Sequence, residues 1–226
     1  LARKIKELDY IPVHIGTDST VSFLKRGSII DLSSNIPIFI ASKTTSHFGD
    51  FLESLTYNPS LIFVEKGFST QQEIDIAKTM SQGVPVYFLS QYRFSKVINE
   101  FINLKLGIKS IHYDWQVENH AAQEWLYHII SIDNYMKQTN NTLFINDYGN
   151  YELDKISTIN IEKNIQRSCK IFLNTKDDQQ YVIEIGKKSI LMADSSILLE
   201  VENEDCLSYQ LQEILIKKDT TRLERL

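Results

Sequence analysis

Glycine is scarce in this chain, with eight residues among 226. None of them forms a G-x-G-x-x-G turn, a Walker loop or a G-x-S-x-G nucleophile elbow. Cysteine is scarcer still: Cys169 and Cys206 stand far apart with no C-x-x-C pair. That pattern fits buried thiols in a reducing compartment and no cysteine zinc site; a Cys169–Cys206 disulfide is an alternative that the spacing does not support. No His, Cys or Asp cluster has metal-ligand spacing, so no metal is expected. No apolar run reaches the length of a membrane span, and no signal peptide precedes the first helix-like segment. The expectation is a soluble, cytoplasmic chain with no membrane partner. Basic residues are not in excess: 24 Lys and Arg face 29 Asp and Glu, for a net charge of −5. Nucleic-acid binding is not expected, because neutralising phosphates takes concentrated Lys and Arg. Lys217, Lys218, Arg222 and Arg225 form the one basic tail, which acids interrupt; it reads as a solvated helix end.

What the chain does have is concentrated between residues 36 and 94. An apolar run (IPIFIA) leads into a polar turn and a helical pattern. A second run (SLIFVEKG) precedes a longer amphipathic segment, and a third (VPVYFLSQYRF) follows. Short apolar strands alternating with helices predict βαβ units and a parallel sheet. In such sheets ligands sit beyond the carboxyl ends of the strands. Attention therefore falls on residues 42–47, Glu65 and Lys66, and residues 91–93.

These residues also carry a resemblance. VEKG, a helix, GVPV and then QYRFS resemble the EKP and YRF elements of the Gfo/Idh/MocA family of NAD(P)-dependent oxidoreductases. IASKTTSH is similar to that family's AT-P-P-x-x-H turn, with His47 at the matching histidine. IPVHIGTD resembles the second Rossmann strand, which ends on the acid that holds the cofactor ribose, here Asp18. The resemblance spans roughly residues 1–135.

The resemblance implies an active-site lysine, Lys66, beside the nicotinamide, where it positions or protonates a substrate oxygen. Gly67 replaces the usual proline and is expected to relax the turn. Glu65 either orients Lys66 or a ligand hydroxyl, or is a strand-end charge. Ser42 ends the first apolar run and is a cofactor-side candidate. His47 is a cofactor-side contact or a helix-start residue. Arg93 meets a ligand or ties neighbouring carbonyls together. Asp18 holds the ribose, which would favour NAD over NADP, or caps a helix. The family's D-x-x-x-H proton-handling pair would fall on Leu126 and Ile130, both apolar, if Asp133 matches the acid that follows it. His128 on the same helix is the substitute candidate for catalysis.

The chain opens on LARKIKELDY, whose Leu1, Ile5 and Leu8 mark one helical face. In a Rossmann fold this is the helix after the first strand and its glycine turn, and neither stands ahead of it. Without that strand, the strands at 12–15 and 60–64 are expected to lose their shared neighbour and expose backbone groups. Three alternatives remain open: a segment outside these 226 residues, a sheet closed around the gap, or a strand from another chain. NAD or NADP binding is conditional on such a glycine turn.

Helices are expected at 1–10, 46–57, 70–82 and 94–106, with Ser69 or Thr70 as N-cap and Glu73 as capping-box partner of the third. Residues 108–116 alternate, with Ile111, Tyr113 and Trp115 on one face. A helix at 121–137, strands at 157–161, 170–174, 181–185, 189–192 and 197–201, and a helix at 207–217 complete the pattern. The fold expected is α/β: a Rossmann-like parallel sheet lacking its first strand and glycine turn (residues 1–107), then an α+β domain with a mixed open sheet (108–226). The function implied is hydride transfer between NAD(P) and a small hydroxyl, carbonyl or imine substrate, with sugars as the family default. The alternative is a degenerate, non-catalytic member that binds a small molecule or a protein. Either form is expected to pair as a homo-oligomer through the C-terminal sheet.

Overall fold

The computed structural model describes residues 2–8, 37–42, 44–117, 122–139, 149–164 and 168–226. The expected strand at 12–15 and Asp18 lie outside the described residues. In chain order the elements are α1 (Ala2–Glu7), β1 (Pro37–Ile40), α2 (His47–Leu55), β2 (Leu61–Glu65), α3 (Gln71–Met80), β3 (Val86–Leu89) and α4 (Lys96–Asn103). Then come β4 (Ile108–Val117), α5 (Ala122–Lys137), β5 (Gly149–Glu152), β6 (Ser157–Lys163), β7 (Ser168–Thr175) and β8 (Gln180–Ile185). The chain finishes with β9 (Lys188–Ala193), β10 (Ser196–Glu202), α6 (Cys206–Leu211) and β11 (Glu224–Arg225). It divides into two units, Leu1–Leu89 with Gln210–Leu226, and Ser90–Tyr209. The division falls elsewhere than residue 107: 90–107 goes with the second unit and 210–226 with the first.

Among the described residues the first unit holds a four-stranded sheet in the order β1-β2-β3-β11. β1, β2 and β3 are parallel, and β11 runs antiparallel to β3. Ile62, Phe63 and Val64 of β2 are almost wholly buried, as a strand covered on both faces requires. This corrects the expected gap beside residues 60–64: β2 is paired on both sides, because the strand at 37–40 takes one flank and β3 the other. α3 starts on a capping box. Thr70 Oγ1 accepts the Glu73 amide at 3.2 Å, and the Glu73 carboxylate accepts the Thr70 and Ser69 amides at 3.0 and 2.8 Å. Two orphan helix donors are thereby satisfied, as the sequence predicts.

The end of the chain also differs from expectation. Leu223 is buried, Glu224 and Arg225 pair with Phe88 and Tyr87, and the Leu226 amide donates to Val86 O at 3.0 Å. The basic tail is therefore part edge strand rather than a solvated helix end, because the open backbone of β3 offers partners that solvent otherwise supplies. The helix expected at 207–217 is also in two parts: α6 passes into a π-helical turn over Gln212–Ile216, where the Lys217 amide reaches Gln212 O at 3.1 Å.

The second unit is a seven-stranded mixed sheet, β10-β9-β8-β7-β4-β6-β5. β4 and β6 are parallel and every other pair is antiparallel. Ile111, Tyr113, Trp115 and Val117 of β4 face a core with Ile159, Ile161, Ile171, Leu173 and Ile183 from the neighbouring strands. α4 and α5 close it with Val97, Ile98, Phe101, Leu126, Ile129 and Ile132. Burying each such side chain contributes roughly 1.5–3 kcal/mol before entropy is set against it.

Candidate active site

The site begins where β2 ends. Glu65 is its last residue and Lys66 leaves the strand in left-handed backbone, φ +61°, with its amide donating to Leu89 O at 3.3 Å. Gly67 follows at φ +74°. Proline is confined to φ near −65°, so this turn follows a path that an EKP sequence cannot take. The glycine does more than relax the turn: it selects a different one. Phe68 then anchors the chain, its ring edge-on to Phe51 and Phe88 at centroid distances of 5.4 and 5.6 Å. The Glu73 carboxylate holds the next two amides, so the path from 65 to 70 is fixed by neighbours on every side.

The Lys66 side chain is 23% exposed, with Nζ 4.0 Å from Glu65 Oε1, whose own side chain is 41% exposed. An ion pair at that distance and exposure is weak. It leaves the ammonium at the carboxyl edge of the parallel sheet, where ligands of such sheets bind.

His47 starts α2 and is 1% exposed. Nδ1 lies 2.8 Å from Gly67 O and Nε2 lies 2.9 Å from Ser42 O. Both ring nitrogens thus face backbone carbonyls. A neutral imidazole donates to one of them and an imidazolium to both. The Ser42 side chain is exposed, and its hydroxyl donates to the Asp50 carboxylate.

Arg93 and His128 belong to the second unit. Arg93 is buried; its Nε donates to Ser131 Oγ at 2.7 Å and Ser131 O at 3.1 Å, and its guanidinium lies over the Tyr135 ring at 5.6 Å. His128 is buried between Tyr92 and Tyr127, edge-on, at 5.0 and 5.8 Å. Leu126 and Ile130, the positions matching the family dyad, are both in the core. Asp18 is outside the described residues.

Sequence reasoning missed a polar network in the second unit. Asp133, wholly buried, accepts Tyr113 Oη at 2.9 Å and Ser157 Oγ at 2.7 Å on one oxygen. Lys137 Nζ lies 2.7 Å from its other oxygen, donates to Ser157 Oγ at 2.9 Å, and also bonds Asp154. Burial pushes the Tyr113 hydroxyl well up, and the Asp133 charge and hydrogen bond add to it. The signal was the Asp133 to Lys137 spacing, one helical turn apart. Among the described residues no three His, Cys, Asp or Glu side chains converge on a metal position, and no helix is long and apolar enough to cross a membrane.

No family model and no curated protein sequence matches the chain. Solved structures do. A dehydrogenase (MviM) from Clostridium difficile matches with TM-score 0.60 and 15% identity, over 80% of this chain and 68% of that one. KijD10, a 3-ketoreductase from Actinomadura kijaniata in complex with TDP-benzene and NADP, matches with TM-score 0.64 and 6% identity, over 82% and 71%. An inositol dehydrogenase homolog from Azotobacter vinelandii, complexed with NADH and myo-inositol, gives 0.53 and 12%, over 74% and 55%. The fold is that of the Gfo/Idh/MocA-type oxidoreductases. Among the described residues, a Rossmann-like sheet in the first unit and a mixed sheet in the second carry that likeness.

Proposed function

We propose that this chain is an NAD(P)-dependent oxidoreductase of the Gfo/Idh/MocA type, acting on a hydroxyl, carbonyl or imine carbon of a small molecule such as a sugar derivative. One observation carries the reading: Lys66 stands at the carboxyl end of the central strand, partly exposed, in a turn held from several sides. The comparison proteins that hold NADP or NADH share this fold and lend support to the same cofactor class. Lys66 and Glu65 at the strand edge suit the nicotinamide end of such a cofactor, and Asp18, outside the described residues, is assigned to the adenosine ribose. The nicotinamide supplies or accepts the hydride. Lys66 holds the substrate oxygen by a charge-assisted hydrogen bond and exchanges a proton with it as its charge changes. Glu65 orients the Lys66 ammonium. Arg93 supports the QYRF turn from within, through Ser131 and Tyr135. His128 lies between two tyrosine rings, so the proton step is assigned to Lys66.

A homo-oligomer through the open sheet face belongs to the same proposal. Phe172 stands between buried Ile171 and Leu173 on that face, and it, Ile197 and Leu198 are exposed.

The non-catalytic reading also has its observation: the dyad positions Leu126 and Ile130 are core residues, leaving the family's usual proton donor without a counterpart there. The test uses protein made from the native gene. On the enzyme reading NADH or NADPH raises the melting temperature, by the equivalent of about 2.7 kcal/mol at a hundredfold excess over Kd. Lys66→Ala keeps that rise and loses turnover across a panel of sugars, polyols and nucleotide sugars. No rise with either nucleotide refutes the enzyme reading in favour of a binding module. Unchanged turnover in Lys66→Ala refutes the role given to Lys66.

A further inference from the structure

We propose that His47 is a positioning residue that locks the turn carrying Lys66, by tying the Gly67 carbonyl to the loop that follows β1. The inference rests on the reading of Lys66 given above, but its geometry stands apart from any cofactor. The ring is 1% exposed, and each nitrogen already faces a backbone carbonyl, Gly67 O at 2.8 Å and Ser42 O at 2.9 Å. No ring nitrogen is left to meet a ligand, so His47 acts through the turn.

The turn needs such a hold. Lys66 and Gly67 are consecutive left-handed residues, at φ +61° and +74°. A proline would stiffen this stretch but cannot reach that conformation, and a glycine leaves it with the most freedom to lose. The Lys66 amide on Leu89 O fixes the entry to the turn, and Phe68 among Phe48, Phe51 and Phe88 fixes its exit. Between them His47, taken as the tautomer with its proton on Nδ1, holds the Gly67 peptide. That bond sets the direction of the peptide directly after Lys66, and therefore the direction in which the ammonium leaves the sheet edge.

The two contacts can be separated by substitution. An asparagine amide nitrogen reaches the place of Nδ1, and a glutamine amide nitrogen the place of Nε2. His47→Asn keeps the Gly67 side, His47→Gln keeps the Ser42 side, and His47→Leu keeps neither. Two measurements follow Lys66 without any substrate: hydrogen exchange at its backbone amide, and its acetylation by trace acetic anhydride, read by mass spectrometry against exposed Lys78. The amides of β2 serve as the folding control.

In His47→Gln and His47→Leu the Lys66 amide is expected to lose about fivefold in protection, the ratio matching one ordinary hydrogen bond. Its acetylation relative to Lys78 shifts with it, while the protection of Ile62, Phe63 and Val64 holds. His47→Asn stays at the wild-type values. If His47→Leu does not fold, the Asn and Gln pair decides alone. Wild-type protection at Lys66 in His47→Gln overturns the proposal, and so does a loss in His47→Asn as large as in His47→Gln. A loosened Lys66 in a protein that never binds NADH or NADPH would leave the clamp standing and remove the oxidoreductase reading. A rigid Lys66 in an active His47→Gln would do the reverse.

Discussion

Replacing Lys137 by methionine tests the buried network of the second unit. The side chain of Lys137 is 7% exposed and that of Asp133 is 0% exposed. Methionine keeps the stem and its packing and removes only the charge. Asp133 then retains the Tyr113 and Ser157 hydroxyls and loses the Lys137 charge. Removing one partner of a buried pair costs about 3–5 kcal/mol. The expected loss is therefore about 3–5 kcal/mol. Both tryptophans, Trp115 and Trp125, lie in the second unit, so urea unfolding followed by tryptophan fluorescence reports on that unit. With an m value of roughly 1.5 kcal/mol/M, the midpoint falls by about 2–3 M. Asp133→Asn combined with Lys137→Met removes the stranded charge and regains most of the loss. A cost below about 1 kcal/mol for Lys137→Met, or a double variant no better than the single, refutes the reasoning.

Three further outcomes follow from the same geometry. Burial raises the Asp154 carboxyl, but the Lys137 hydrogen bond, the Ile156 and Ser157 amides and the Lys137 charge together hold it below the usual range. Its contribution is therefore present above about pH 4 and is lost as pH falls through the depressed folded value; Asp154→Asn should flatten the acid limb of midpoint against pH. Glu204 accepts Ser95 Oγ at 3.0 Å and the Lys96 amide at 2.5 Å at the start of α4, so Glu204→Ala should cost about 1 kcal/mol in the same unfolding assay. Lys66→Gly relieves a left-handed side chain and should raise the melting temperature by the equivalent of up to about 1 kcal/mol, whereas Lys66→Ala should not.

Residues whose partners are close in sequence, or whose faces alternate, announced themselves. Thr70 and Glu73 form the capping box that their spacing predicts, and Ile111, Tyr113 and Trp115 all turn inward from β4. Gly149–Glu152 was invisible, because an edge strand with a half-exposed, polar pattern has no apolar run to mark it. Glu224 and Arg225 were invisible for a related reason: their pairing with β3 is made by backbone groups that every residue carries. His47 shows the same limit at the site. Its position was marked, but both its partners are carbonyls of other loops, which no spacing reveals. The Asp133 network lay between these cases, with its ion pair written one turn apart on α5 and its Tyr113 and Ser157 donors hidden in distant strands.

The left-handed backbone of Lys66 sits in an unusual place. Most non-glycine residues with positive φ in the described chain occupy places where left-handed backbone is ordinary. Asn58, Gln82, Lys105 and Gln138 follow α2, α3, α4 and α5, and Asp178, Asp194, Ser195 and Asn203 sit in the turns after β7, β9 and β10. Lys66 follows a buried parallel strand instead, one residue before a glycine that also adopts positive φ. A glycine at 66 would avoid a cost of roughly 1–2 kcal/mol. The chain keeps lysine there, with its side chain 23% exposed. Strain held at a strand end by a histidine, a phenylalanine cluster and a capping carboxylate supports the role proposed for Lys66. A lysine that simply reached water would need none of it.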